Sequence, residues 1–319
     1  MSAGVGGRLS GLIMRCEAWL SRVSGSRAWL WLKAGLLVVF AAFFGLRVWE
    51  SRGALAEAFG AIVRGEGSGL GLAGLLAAEA ALWAVGMALS GLRWRCLARG
   101  SGLAVGLREA FVTEYAAQSL AYLTPLGLGE HYARLSVGGE VRGRVSASLG
   151  TVAAQWAAVL SLGLVGLWLS AAAGLEVPWG LCVGGVSAVM LAAGGAYVLR
   201  RGGRQCILGA MGYAILREFA LALQMTLLLC ASQGDGSYLG EGAALSLVYY
   251  MYLQYVPAMG LLDVCPKGGV GLLVFGSLFG EGAVLAATVC LWGLNCALPT
   301  AVWLMLRAFG VGSVRRGCR

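Results

Sequence analysis

Apolar positions in this chain come in long unbroken runs, without the regular polar interruptions of a surface helix or a half-buried strand. A helix needs about 20 predominantly apolar residues to cross the hydrocarbon core of a bilayer. Runs of that length predict helices over residues 28–46, 69–92, 145–171, 177–199, 206–231 and 284–306. Two further apolar regions are long enough but interrupted. Region 109–134 is broken around Pro125, Gly127 and Gly129, and region 243–280 around Pro257, Gly260, Pro266, Gly268 and Gly269. Proline disfavours helix at the residue before it, and glycine removes the side-chain barrier to a turn. Each region therefore reads as helix, break, short helix.

The distribution of charge orders these elements. Basic residues gather at the N-terminus (Arg8, Arg15, Arg22, Arg27), at Arg93, Arg95 and Arg99, at Arg142 and Arg144, at Arg200, Arg201 and Arg204, and at Arg307, Arg315, Arg316 and Arg319. If both interrupted regions dip into the bilayer and return to the side they came from, every one of these clusters falls on one face. The positive-inside bias makes that face cytoplasmic. Counting the interrupted regions as single crossings puts Arg142, Arg144 and Arg200–Arg204 on the opposite face, which fits worse. The expected fold is an all-α integral membrane protein, a polytopic helical bundle with two broken, re-entrant hairpins. Its halves, about 28–171 and 177–306, each hold two long helices, a broken hairpin and a third long helix. Three crossings separate them, so the second half is inverted relative to the first. Inverted repeats with broken helices are a transporter architecture. Residues 1–27 form a basic N-terminus and 307–319 a basic tail.

Composition sharpens the class. The chain is 59% hydrophobic and 12% charged, with mean hydropathy +0.79, whereas soluble domains carry about 25% charged residues. The net charge of +9 is accounted for by loop clusters beside apolar runs, so it argues for membrane topology and lipid head groups rather than nucleic acid. The 52 glycines suit closely approaching membrane helices, although a GC-rich genome yields the same excess. Nine cysteines without C-x-x-C spacing and a single histidine offer no metal site and no disulfide framework. No cofactor is implied.

The two breaks carry related motifs, "TPLGLGEHYAR" (124–134) and "VPAMGLLDVCPK" (256–267). Each has a proline, then glycine, then an acid with a base four residues later: Glu130 with Arg134, and Asp263 with Lys267. Positions i and i+4 share a helix face, so each pair can bridge. An unpaired charge in mid-span costs about 2.5–3.5 kcal/mol on insertion scales, which pairing beside a water-filled break relieves. The pairs read either as the lining of a polar cavity or as interfacial salt bridges that only shape the hairpins. Glu114 and Gln118 lie one turn apart on the arm leading to Pro125 and face the same cavity. Arg217 and Glu218 are neighbours that point to different helix faces, leaving Arg217 free for a substrate or another acid. Glu79, flanked by apolar residues, needs a partner or a proton. Gln155 and Asn295 suit interhelical hydrogen bonds. The run Tyr249–Tyr255 is an interfacial belt or an aromatic lining. His131 reads as a solvent-facing histidine in a turn.

Four stretches, "LSGLRWRCLAR" (89–99), "TPLGLGEHYAR" (124–134), "LREFALALQMTLLL" (216–229) and "PAMGLLDVCPKGGVGLLVFG" (257–276), give the chain a resemblance to the transmembrane, flippase-like region of the lysylphosphatidylglycerol synthase family. The likeness covers about residues 30–305. The family's T-P-x-x-x-G-E-x-x-x-R element is intact. In its later P…E-x-G-V-R-G/E element, Asp263 takes the acid and Lys267 the base, while Cys265 and Pro266 replace the usual glycine and valine. The resemblance implies translocation of an anionic or modified phospholipid, or of a polyprenyl-linked lipid, across the inner membrane. Arg134, Lys267 and Arg217 would bind phosphate, and Glu130 and Asp263 would orient those bases in the empty state. The soluble aminoacyl-transfer domain of the full synthases has no counterpart in the sequence, so synthase activity is not expected. A membrane enzyme is disfavoured by the lack of H-E-x-x-H or D-D motifs. A membrane partner or regulator of a separate lipid-modifying transferase is the alternative function.

Overall fold

The structure, a computed structural model, describes residues 27–65, 69–124, 127–201, 204–256 and 260–309. Pro125 and Pro257, the prolines of the two expected breaks, lie outside the described residues, as do residues 1–26 and 310–319. All regular elements among the described residues are helical: α1 (Arg27–Glu50), α2 (Arg52–Arg64), α3 (Gly71–Gly100), α4 (Leu107–Leu123), α5 (Leu128–Leu135), α6 (Val141–Ala172), α7 (Gly180–Arg201), α8 (Arg204–Gln233), α9 (Leu239–Leu253), α10 (Val264–Phe275), α11 (Glu281–Trp292) and α12 (Leu298–Ala308). A 3-10 turn, Gly260–Asp263, precedes α10, and a π-helical segment, Gly293–Ala297, joins α11 to α12. Among the described residues four helical stretches are long and apolar enough to cross a bilayer: Gly71–Gly100, Val141–Ala172, Cys206–Gln233 and Glu281–Ala308. The chain is thus an all-α membrane-protein bundle. Helices also occupy the predicted spans 28–46 and 177–199, although some of their side chains lie outside the described residues.

The centre of the bundle is the antiparallel pair α3 and α8. At one end Gly100 abuts the Cys206 side chain. In the middle the Gln224 amide donates to the Glu79 carbonyl. At the other end Leu75 and Ala231 share a cluster with Ala58, Ile62 and Ala286. The hairpin α4–α5 starts at the Gly100 end, and α9–α10 starts at the opposite end, where the Gly280 N–H donates to Gln233. Each half's last helix receives a helix from the other half: α7 packs on α6, and α2 packs on α11. The two halves are therefore inverted relative to each other. Helix α2 lies between the predicted spans 28–46 and 69–92, where the apolar runs predict no element. Structurally it is the counterpart of α7, and α1 is the supernumerary helix, packing on α10 instead. At 13 residues, with Arg52, Glu57 and Arg64 in it, α2 falls below the length at which apolar runs announce a span.

Small residues set the closest helix contacts, as membrane packing favours. On α6, Gly163 faces the Met251 side chain, and a Cβ at Gly166 would lie 2.7 Å from the Ala244 carbonyl oxygen of α9. Backbone cannot swing aside as a side-chain tip can, so Gly166→Val must push α9 outward. The expected loss is about 1–3 kcal/mol, the usual cost of overpacking, read as a lower Tm of the purified protein in detergent. An unchanged Tm would refute close α6–α9 packing.

Candidate functional site

Hairpin α4–α5 turns on one hydroxyl. Thr124 ends α4 in extended backbone. Its Oγ1 donates to the Leu120 carbonyl at 2.8 Å and accepts from the Gly129 N–H at 2.7 Å, tying the outgoing helix to the first turn of the returning one. Gly127 between them has φ +67°, the left-handed region that glycine enters without strain. In the second hairpin that part is played by Gly260, with φ +66°. Gly268, expected among the breaks, lies inside α10, where a Cβ would run into the Phe44 ring of α1 at 2.3 Å. Pro266 also sits within the first turn of α10, where a missing N–H costs no intrahelical bond.

The two breaks meet. A Cβ on Gly260 would stand 2.9 Å from the Tyr122 carbonyl oxygen, so the tips of hairpins entering from opposite ends of the bundle touch backbone to backbone. Around this junction lies a cavity of about 320 Å³, lined from both halves. Every sequence-predicted binding residue borders it: Glu114, Gln118, Glu130, Arg134, Arg217, Asp263 and Lys267. So do Arg93, Gln155 and Glu218, which were not assigned to the site from sequence. Arg93 belongs to a basic cluster with a ready topological explanation, and its Nη1 donates to Gln155 Oε1 at 3.0 Å across 62 residues of chain.

The cations are not equivalent. Arg134 is only 1% exposed. It donates through Nε and Nη2 to both carboxylate oxygens of Glu114, at 2.6 and 2.9 Å, and its Nη1 lies 2.5 Å from Glu130. Its guanidinium stacks 5.8 Å above the buried Trp94 ring. Two acids and a ring thus hold it as a clamp between α4 and α5. Lys267 pairs with Asp263 at 2.7 Å, sits 5.5 Å above the Tyr122 ring of the opposite hairpin, and its side chain keeps 21% exposure. Arg217 keeps 18% exposure and donates to Glu218 at 2.6 Å. That last contact corrects the expectation that the two neighbours diverge: both side chains are long enough to curl to one side of α8.

The first two tyrosines of the aromatic run line the site, whereas Tyr252 and Tyr255 turn to Pro178 and to Trp156 and Ser187. Tyr249 and Tyr250 border the cavity in edge-to-face contact 5.2 Å apart, and Tyr249 is fully buried against Phe275. His131 lies on α5, within hydrogen-bonding distance of the Ser148 hydroxyl at 3.0 Å, and is not in a turn. Among the described residues there is no His/Cys/Asp/Glu group able to hold a metal ion. The arrangement suits recognition by charge: paired acids and bases, partly open, that a polar guest of either sign can re-pair. Comparison with protein-family models and with curated proteins finds no match to this chain.

Proposed function

We propose that the chain is a lipid translocator of the flippase-like kind, moving the head group of an anionic or otherwise modified phospholipid, or of a polyprenyl-linked lipid, across the inner membrane. The observation that carries this reading is the contact of the two hairpin tips, from opposite ends of the bundle, around a cavity lined with paired charges. A volume of about 320 Å³ lies at the lower end of the range for small-molecule sites, roughly 300–1,000 Å³. It has room for a phosphate-bearing head group and none for acyl chains, which stay in the bilayer. Phosphate competes with Asp263 for Lys267 and with Glu218 for Arg217, the two partly exposed cations. Arg134, saturated by Glu114 and Glu130, keeps the first hairpin shut until Glu130 is drawn away. The resemblance to the transmembrane region of the lysylphosphatidylglycerol synthases supports the same reading.

The test is transbilayer movement of a fluorescent phospholipid in proteoliposomes. The wild type should outpace protein-free vesicles. Lys267→Ala combined with Arg217→Ala should slow movement by about tenfold or more, since a hydrogen bond to a charged group contributes about 1.5–3 kcal/mol and about 1.4 kcal/mol is tenfold. The variant should elute as the wild type does in size exclusion. Wild-type rates in the double variant would overturn the mechanism. Movement no faster than in empty vesicles, with a soluble transferase co-purifying, would replace translocation by a partner role.

A further inference from the structure

Glu79 stands outside the cavity. It sits on α3, 1% exposed, and among the described residues neither carboxylate oxygen accepts a hydrogen bond of full geometry, the neutral Gln224 side chain being its neighbouring donor. Among the described residues no cationic side chain reaches it: α8 presents Gln224, and α11 presents Cys290, which packs against the Leu75 cluster one turn from Glu79. Cys290 is the titratable neighbour. An ionised carboxylate buried in a membrane bundle requires a countercharge. A metal ion needs several oxygens. Here the Gln224 oxygen already accepts from Asn295, and the Glu79 carbonyl already accepts from Gln224.

A hydrogen-bonded chain leads from the backbone carbonyl of this residue to the cavity, which both Asn295 and Gln118 border. Gln224 Nε2 donates to the Glu79 carbonyl at 3.0 Å. Asn295 Nδ2 donates to Gln224 Oε1 at 3.1 Å. Gln118, which borders the cavity, donates to the Asn295 carbonyl at 3.2 Å. That carbonyl is available because Pro299, four residues on, has no N–H to return to it. The helix answers the missing bond with the π-helical segment Gly293–Ala297, a deformation that recurs at functional sites.

We propose that Glu79 is a proton-binding site, linked to the cavity by Gln224, Asn295 and Gln118. The site does not rest on lipid translocation. The test is pH-difference infrared spectroscopy of the full-length protein in lipid nanodiscs, read in the carboxylic-acid carbonyl region. The wild type should show a titrating protonated-carboxyl band, lost in Glu79→Gln and displaced in frequency and midpoint in Glu79→Asp. The aspartate variant serves should the glutamine variant not purify as a folded protein. A band unchanged in both variants, or no titrating band in the wild type, overturns the site. Asn295→Leu, which cuts the chain to the cavity, should move the midpoint of the Glu79 band, and an unmoved midpoint overturns the link. Vesicle transport enters none of these readouts, so they stand or fall apart from lipid movement.

Discussion

Replacing Glu114 with alanine is expected to cost about 3–5 kcal/mol, the usual penalty for breaking a buried ion pair by removing one partner. The reason is Arg134. Its guanidinium is buried, and Glu114 takes two of its donors. Glu130 remains after the substitution, but it sits at the more open side of the pair, with 32% side-chain exposure, and leaves the Nε and Nη2 donors without acceptors. A buried donor stranded in this way carries its full desolvation penalty. The Tm in detergent should fall sharply. Removing the stranded charge as well, in Glu114→Leu with Arg134→Met, should recover most of the loss, because a buried pair exchanged for apolar side chains of similar size is often neutral. Equal destabilisation in the single and double variants would show that Arg134 is not held by this pair.

Gly129→Ala is expected to have the second largest effect. The added Cβ would lie 2.3 Å from the Leu120 carbonyl oxygen and 2.7 Å from its Cβ. Both belong to the last turn of α4, so only separation of the two arms relieves the clash. Separation would also break the 2.7 Å bond from the Gly129 N–H to Thr124. The loss should reach or exceed the roughly 1–3 kcal/mol of ordinary overpacking. It should be accompanied by faster amide hydrogen exchange confined to α4 and α5. Exchange unchanged there would mean that the hairpin tolerates an open turn.

The long helices were legible because the length of an apolar run is a one-dimensional property. Helix α2 was not, because a short amphipathic segment bearing Glu57 and Arg64 looks like the loop it interrupts. The acid–base pairs in the breaks were legible from i,i+4 spacing, since Glu130 with Arg134 and Asp263 with Lys267 need only local geometry. Glu114 on Arg134 spans 20 residues and Arg93 on Gln155 spans 62, and no local pattern announces either. The glycines show the same division. Gly260 turns the chain and Gly268 admits a phenylalanine from α1, yet both look alike until the partner helix is placed.

The cavity's formal charges cancel: Arg93, Arg134, Arg217 and Lys267 are matched by Glu114, Glu130, Glu218 and Asp263. Moving one elementary charge through a full membrane potential of 100 mV involves about 2.3 kcal/mol. A lining that shifts as one body therefore does no net electrical work, whereas the first hairpin alone, with Glu114, Glu130 and Arg134, carries −1, because Arg93 lies on α3 and Arg217 and Glu218 on α8. The voltage dependence of movement in the absence of a guest therefore measures whether the hairpins move with α3 and α8 or without them.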